Sequence, residues 1–148
     1  MKLFVDADGC PVINIAIARG RARGVPVILV CDTAHEFERA GAETVTVSKG
    51  ADSADFKLAN LIGPGDIAVT QDYGLAAMCL ARGARALNQD GMEYTGDNID
   101  ALLLARHTAR KIRMGGGRLK GPAKREKRQD QAFREALERM LASSSPKE

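Results

Sequence analysis

Tryptophan is absent from the sequence, and four phenylalanines and two tyrosines are the only other large aromatic side chains among 148 residues. A protein that stacks single-stranded nucleic acid on a platform of aromatic rings needs more of them, so we do not expect such a platform. No apolar run approaches the roughly 20 residues needed to span a bilayer. We therefore expect neither a membrane-spanning segment nor a membrane partner.

Cysteine is also scarce, and the three that are present include no Cys-x-x-Cys pair. The first residues, MKLFVDADG, reach an acid at position 6 and lack the apolar core of a signal peptide. Because disulfides persist mainly in oxidising compartments, we expect a cytoplasmic protein with reduced thiols. The sequence also contains no cluster of histidines and cysteines that would indicate a zinc site.

The residues that are present suffice for one folded domain. Apolar residues make up 45% of the chain and charged residues 28%, a composition that excludes disorder throughout. A chain of this length is typical of a single domain with a sizeable core. We predict one domain over residues 1–142 and a frayed tail over residues 143–148. The oligomeric state is not predicted by any feature of the sequence.

Short apolar runs alternate with helical patterns along the first 90 residues. The runs at 3–5, 27–30 and 67–69 are fully apolar, as in strands that are buried on both faces. The alternating run at 44–47 indicates an edge strand, and a further strand is predicted at 85–87. Helices are predicted after Pro11, from a capping box at 33–36, from 52 or 53, and over 75–81.

This alternation predicts an α/β fold with three layers, in which helices cover both faces of a parallel sheet of about five strands. Two C-terminal helices follow, separated by a glycine-containing basic loop. The first starts at 97 or 98. The second has an amphipathic stripe formed by Phe133, Ala136, Leu137, Met140 and Leu141.

Acidic residues gather just past the carboxyl ends of the predicted strands, where open parallel sheets bind ligands. Asp6 and Asp8 follow the first strand, Asp52 and Asp55 the third, and Asp72 the fourth. If the strand order is 3-2-1-4-5, the first and fourth strands are neighbours, and Asp6, Asp8 and Asp72 flank one crevice. We expect one of Asp52 and Asp55 to join them, although acids also favour helix starts.

Carboxylates that lie close together repel one another unless some are protonated or a cation bridges them. Carboxylates and water are the ligands that Mg²⁺ and Mn²⁺ prefer, and these ions activate water and bind phosphoryl oxygens. The cluster therefore predicts a Mg²⁺ or Mn²⁺ site in which Asp6, Asp8 and Asp72 are catalytic.

Nearby residues have plainer interpretations. Asp32 is interpreted as a turn residue, and Asp66 precedes its strand and belongs at the opposite edge of the sheet. Cys10 is interpreted as a small packed residue rather than a nucleophile. Asp72 has a second interpretation as the cap of the helix that follows it.

Charge is distributed unevenly along the chain. Residues 1–100 hold 9 basic and 14 acidic residues, whereas residues 101–148 hold 13 basic and 5 acidic residues. Residues 106–128 form a basic segment with ten basic residues and one acid. A solvated, flexible surface is one interpretation, but acids elsewhere in the same small domain favour phosphate binding. The residues expected to bind nucleic acid are Arg106, Arg110, Lys111, Arg113, Arg118 and Lys120.

Three of these arginines continue an apolar helical stripe. Counting from Ile99 and Leu103, positions 106, 110 and 113 lie on the same helix face. Their side chains either cover the rim of the core with their aliphatic parts or form a ridge that binds phosphates, which the planar guanidinium group suits.

Four motifs together resemble the YaiI/YqxD family of uncharacterised bacterial proteins: DADGCP at 6–11, SKGADSAD at 48–55, GDIAVTQDYGLA at 65–76, and GP at 121–122 followed by a Phe-x3-Leu helix. The resemblance covers nearly the whole chain, with Gly9 where the family usually has alanine. The family is assigned to the PIN-like nuclease fold by similarity. The resemblance thus implies a single PIN-like domain, a 3-2-1-4-5 sheet, and metal-dependent RNA cleavage at Asp6, Asp8, Asp52, Asp55 and Asp72.

Two other functions remain open at this point. Asp-x-Asp-Gly after a strand also matches the nucleophile motif of haloacid-dehalogenase-type phosphatases, in which Asp6 would be phosphorylated and Asp8 would be the acid/base. Against this, Cys10 stands where that motif usually has threonine, and Asp66 precedes its strand. The third candidate is a non-catalytic RNA-binding module that uses the basic segment.

Overall fold

The computed structural model describes residues 1–32, 39–47, 53–114 and 124–143, with the backbone alone for residue 53 and residues 106–114. The strands within these ranges are β1 (Leu3–Asp6), β2 (Val27–Asp32), β3 (Glu43–Val47), β4 (Ile67–Val69), β5 (Arg85–Leu87) and β6 (Glu93–Tyr94). The helices are α1 (Ile13–Ala22), α2 (Ser53–Leu61), α3 (Tyr73–Ala81), α4 (Gly96–Met114) and α5 (Lys127–Ser143). No helix of the described residues is long and apolar enough to cross a membrane.

The strands of the described chain form one sheet in the order β3-β2-β1-β4-β5-β6. The first five strands are parallel, and β6 pairs antiparallel with β5. The order 3-2-1-4-5 and the edge position of β3 are therefore confirmed. The expectation of about five strands missed β6, because two residues form no recognisable apolar run.

Helices cover both faces of the sheet, as predicted. Alternate residues of β1 point to opposite faces, so Leu3 and Val5 join one core and Phe4 the other. The first core lies under α1 and α5, and it includes the predicted stripe: Phe133, Ala136, Leu137, Met140 and Leu141. The second core lies under α2, α3 and the first turn of α4, and it includes Leu58, Ile62, Leu75, Cys79 and Ile99.

Several predicted boundaries shift slightly. Pro11 lies in the turn before α1 rather than in its first helical turn. Within α2, Phe56 and Leu61 are exposed, because the face carrying Leu58 and Ile62 is the one that packs on the sheet. The predicted capping box at 33–36 and the basic loop at 115–122 lie outside the described residues. So does the tail beyond Ser143, the last residue of α5.

A tight turn joins β5 to β6 and packs against α5. The Asn88 side chain accepts hydrogen bonds from the backbone N–H groups of Asp90 and Met92, both at 2.9 Å. Gly91 has a φ of 88°, and a Cβ added there would lie 2.6 Å from the carbonyl oxygen of Ala132. Only glycine fits this close approach, which sets the distance between the turn and α5.

Arg125 ties the start of α5 to the same turn. Its guanidinium group donates to Asp90 Oδ1, to Asp130 Oδ1 and to the carbonyl oxygen of Gln89, each at 2.8 Å. The side chain is only 22% exposed, so solvent screens these interactions less than those of an ordinary surface pair. The residues just before α5 are thereby held at the edge of the sheet where β5 ends.

Candidate active site

The carboxyl ends of β1 and β4 lie side by side, because these strands pair in register with Val5 opposite Val69. Strand order reverses between them, since the chain continues from β1 toward β2 on one side and from β4 toward β5 on the other. Ligands in open α/β sheets bind at such a switch point. Asp6 ends β1, and Thr70 directly follows β4.

Thr70 links the two strand ends through its side chain. Its hydroxyl donates a 2.8 Å hydrogen bond to Asp6 Oδ2 and accepts a 3.0 Å hydrogen bond from the backbone N–H of Asp72. Its carbonyl oxygen accepts a 3.0 Å hydrogen bond from the Tyr94 hydroxyl. Thr70 is the one polar residue among the described residues that is buried, so this network is shielded from solvent.

Asp72 caps α3, as its second interpretation predicted. Its Oδ1 atom accepts hydrogen bonds from the backbone N–H groups of Gly74 at 2.8 Å and Leu75 at 3.2 Å. Capping does not remove Asp72 from the site, because its side chain also lines a cleft shared with Asp6. The two interpretations of this residue are therefore compatible.

Asp8 is fixed from the other side of β1. Its Oδ2 atom accepts a 3.2 Å hydrogen bond from the backbone N–H of Asp32. Asp32 is the last residue of β2 rather than a turn residue, so that expectation was wrong. The strand continues to Asp32 because it pairs with Val47 of β3. The backbone N–H of Asp32 thus helps to position Asp8.

An open cleft of about 480 Å³ lies over these strand ends. This volume falls within the range of about 300–1,000 Å³ that is usual for ligand sites. Among the described residues, its lining is formed by Asp6, Asp8, Gly9, Gln71, Asp72 and Tyr73. The structure therefore brings together the three aspartates that the sequence predicted to be catalytic.

The three carboxylates affect one another electrostatically. The pKa of Asp6 is raised from an ordinary value of 3.8 to about 6, mainly by burial, and the negative charges of Asp8 and Asp72 contribute to this increase. The hydrogen bond from Thr70 acts in the opposite direction and lowers this pKa. A cation in the cleft would favour the ionised form of Asp6.

Asp55 lies in the first turn of α2. Burial raises the pKa of the Cys79 thiol to about 12, and the negative charges of Asp6 and Asp55 both contribute to this increase. Asp55 and Asp6 therefore lie within electrostatic reach of one thiol, although Asp55 is not among the described residues that line the cleft. Asp52 lies outside the described residues, so the expectation for that position stays a prediction.

The described residues contain no group of three or more His, Cys, Asp or Glu side chains placed to hold a metal ion. The predicted Mg²⁺ or Mn²⁺ site thus remains a prediction at this cleft.

A second cavity of about 20 Å³ adjoins the cleft, and Cys10 and Gln89 line it together with Asp6 and Asp8. It has room for about one water molecule. Within the described part of the chain, the buried Gln89 Oε1 atom has no hydrogen-bond partner, and a water molecule there would donate to it. Gln89 is not among the residues predicted from the sequence, because a glutamine in a turn carries no distinctive signal.

Cys10 is half-buried and packs against the core under α1 and α5, as predicted. Burial raises the pKa of its thiol, and the positive charge of Arg125 only partly offsets this effect. The reactive thiolate is therefore disfavoured near neutral pH.

Asp66 lies at the opposite edge of the sheet, as predicted. Its carboxylate accepts hydrogen bonds from the backbone N–H groups of Lys2 and Gly63, both at 2.9 Å. It therefore cannot contribute to chemistry at Asp6.

The residues expected to bind nucleic acid fall where side chains are not described. Arg106, Arg110, Lys111 and Arg113 belong to α4, whose backbone continues without a break to Met114. Arg118 and Lys120 lie outside the described residues. Within the basic segment, Arg125 is described, and it lies beside Gln89 and within electrostatic reach of Cys10.

Comparison with known proteins places the chain in a family. Residues 4–143 match the model described as "Uncharacterized BCR, YaiI/YqxD family". A UPF0178 protein of Exiguobacterium sibiricum is 50% identical over 145 residues, which cover 98% of this chain and 99% of the relative. A UPF0178 protein of Ruminiclostridium cellulolyticum is 49% identical over 137 residues, covering 93% of this chain and 90% of the relative. No solved structure matches the chain. The resemblance seen in the sequence motifs is thus confirmed, and the chain belongs to the YaiI/YqxD family.

Proposed function

We propose that this protein is a metal-dependent ribonuclease that hydrolyses phosphodiester bonds in the cleft above β1 and β4. The observation that carries the proposal is the convergence of Asp6, Asp8 and Asp72 on one open cleft at the switch point of the sheet. The raised pKa of Asp6 supports it, because burying these charges together is costly without a bound cation.

The donor set suits Mg²⁺ or Mn²⁺ better than zinc. Mg²⁺ usually keeps several water ligands and needs only one or two protein carboxylates, so a group of three direct ligands is not required. When bound, such a cation lowers the pKa of a water molecule and neutralises charge on phosphoryl oxygens. Asp6 and Asp72 are the residues that would hold it. Thr70 binds the carboxylate of Asp6 and the backbone N–H of Asp72, and the N–H groups of Gly74 and Leu75 hold the Asp72 carboxylate.

The basic segment supports a nucleic-acid substrate. It begins in the second half of α4, and Arg125 near its end is anchored beside the carboxyl edge of the sheet. Positive charge close to an acidic cleft allows a polyanion to approach carboxylates that would otherwise repel it. The residues proposed to bind the phosphates of this substrate are Arg106, Arg110, Lys111, Arg113, Arg118 and Lys120.

The direct experiment measures cleavage of a labelled single-stranded RNA by purified protein, with Mn²⁺ or Mg²⁺ and with EDTA. We expect cleavage only with the divalent cation, and we expect Asp6→Asn to lower the rate on the order of 100-fold or more. Asp100→Asn is the matched control, since it removes an exposed carboxylate from α4 and should leave the rate unchanged.

Three other results would contradict the ribonuclease proposal or the role of Asp6 in it. Full activity in folded Asp6→Asn would exclude Asp6 from the mechanism. An acyl-phosphate adduct on Asp6, detected by mass spectrometry after reaction with a phosphorylated substrate, would instead establish the phosphatase alternative. RNA binding without cleavage in either cation would favour a binding module.

A further inference from the structure

Among the described residues, one aromatic side chain lines the acidic cleft. Tyr73 directly follows Asp72 and is the first residue of α3, and its ring shares the cleft with Asp6 and Gln71. The side chain is partly buried, so part of its surface remains accessible from the cleft. The absence of tryptophan and the low aromatic content exclude a broad stacking platform, but they do not exclude a single stacking position.

The ring of Tyr73 is held by the interior of the protein. It packs edge-to-face against Tyr94, with ring centroids 6.0 Å apart and an interplanar angle of 63°. Tyr94 is 1% exposed, and its hydroxyl donates to the carbonyl oxygen of Thr70. Because Thr70 also binds Asp6, a short chain of contacts fixes the aromatic ring relative to the carboxylate.

A rigid ring beside a phosphate-binding site is suited to hold a nucleobase. Every base has a π-face, so stacking on one aromatic side chain binds a nucleotide without requiring a particular sequence. The cleft volume of about 480 Å³ can hold a single small ligand. A base within a duplex is already stacked between its neighbours, so only an unpaired base is available to the ring.

We propose that Tyr73 stacks on one unpaired base and thereby positions the adjoining phosphodiester over Asp6 and Asp72. This inference rests on the proposed function and specifies its substrate as single-stranded nucleic acid. Tyr73 would act as a substrate-binding residue, with no part in proton transfer. The phenol hydroxyl is dispensable in this role, whereas the aromatic ring is required.

Tyrosine fluorescence can report directly on stacking at Tyr73. Tyr73 and Tyr94 are its two tyrosines, and tryptophan is absent, so tyrosine emission comes from the cleft and from one buried ring. The wild-type protein would be titrated in Ca²⁺, which is chosen to slow cleavage, with a short single-stranded oligonucleotide. The comparison ligands are an abasic oligonucleotide of equal charge and a fully paired duplex. We expect only the base-containing single strand to quench the emission.

Two variants separate stacking from a merely structural role. In Tyr73→Phe the quenching should disappear, while affinity measured by anisotropy of a labelled oligonucleotide stays within about twofold, because the ring remains. In Tyr73→Leu affinity for the base-containing strand should fall about tenfold, with an unchanged slope of log K against log[salt], because stacking neutralises no phosphate. The abasic strand should bind wild type and Tyr73→Leu equally.

The outcomes distinguish this inference from the proposed function. Equal affinity of wild type and folded Tyr73→Leu, or quenching that persists in Tyr73→Phe, would overturn the role of Tyr73. If circular dichroism shows that Tyr73→Leu is unfolded, the titration of the wild-type protein is the deciding test. Equal quenching of the wild-type emission by abasic and base-containing strands would overturn the inference. Cleavage without base-dependent quenching overturns this inference alone, whereas quenching without cleavage overturns the nuclease proposal alone.

Discussion

The hydroxyl of Thr70 lies 2.8 Å from Oδ2 of Asp6 and joins the ends of two neighbouring strands. The same oxygen accepts the backbone N–H of Asp72, so one buried side chain holds the Asp6 carboxylate and the Asp72 backbone together. The orientation of the Asp6 carboxylate therefore depends on a residue that carries no charge.

Replacing Thr70 tests this dependence. We expect Thr70→Val to lower the free energy of unfolding by about 1–3 kcal/mol, because the Asp72 N–H loses its buried acceptor. The pKa of Asp6 should rise further, since the lost hydrogen bond is the contact that lowers it. Urea denaturation and NMR titration of the carboxyl carbon measure the two effects. Thr70→Ser, which keeps the hydroxyl, should resemble wild type; a loss equal to that of the valine variant would contradict the argument.

The raised pKa of Asp6 predicts how stability depends on pH without a divalent cation. Between its ordinary pKa of 3.8 and its folded-state pKa of about 6, the native protein keeps a proton that the unfolded chain has lost. The contribution of Asp6 to stability should therefore be fully present below this window and be lost, by about 2–3 kcal/mol, as the pH rises through it.

Urea denaturation from pH 3.5 to 8 in EDTA measures this effect. Asp6→Asn should remove this component of the pH dependence, whereas the exposed control Asp100→Asn should keep it. Parallel curves for wild type and Asp6→Asn would show that Asp6 has an ordinary pKa in the folded protein. Mg²⁺ should reduce the fall at high pH, because a bound cation stabilises the ionised carboxylates.

Arg125 should contribute more to the stability of the protein than the nearby Arg128 does. Arg125→Met removes three hydrogen bonds of a mostly buried guanidinium group, and we expect it to lower the free energy of unfolding by about 1–3 kcal/mol. Arg128→Gln is the matched control, because its pair with Glu126 is exposed and should contribute under about 0.5 kcal/mol. Similar losses for the two variants in thermal and urea unfolding would contradict the enclosed position of Arg125.

Replacing Gly91 should destabilise the protein more than replacing Gly24, although both glycines have a positive φ. Gly91→Ala places a Cβ 2.6 Å from the backbone of Ala132, and we expect a loss of about 3 kcal/mol or more. At Gly24 the φ is 67°, but a Cβ would meet nothing within 4 Å, so Gly24→Ala should cost only about 1 kcal/mol. Equal losses for the two variants would mean that conformational strain alone, without the contact with α5, explains both.

The basic segment should give RNA binding a strong dependence on salt. With about four to six phosphate contacts to a single strand, log K should fall with log[salt] at a slope of about −3 to −4. Replacing Arg106, Arg110 and Arg113 together by Gln should reduce this slope by about 2. In the control variant, Gln replaces Arg19, Arg21 and Arg23, which lie beside the opposite face of the sheet. The salt slope of this variant should equal that of the wild type. An unchanged slope in the first variant would make the segment an ordinary solvated surface.

The sequence predicted most of the framework because its central strands are buried on both faces. Fully apolar runs such as 27–30 and 67–69 cannot be stable on a surface, and their spacing leaves few topologies. Asp6 and Asp8 were recognised because an acid next to a buried strand is costly without a role.

The residues that were missed act through contacts between distant parts of the chain. Thr70 is an ordinary residue after a strand until the fold brings it to Asp6. Tyr73 and Gln89 become part of the site only through the packing of β6 and the turn before it. β6 itself is two residues long and forms because β5 offers an unpaired edge. No local pattern could have indicated these partners.

The position of α5 also affects how the protein folds during synthesis. The core under α1 and α5 contains residues from Leu3 to Leu141, so α1 alone covers this side of the sheet until almost the whole of that range has been translated. The described residues of the core under α2 and α3 end at Leu103, well before α5. Nascent chains that stop before α5 should therefore expose apolar surface and bind chaperones, whereas chains that include it should fold as a unit.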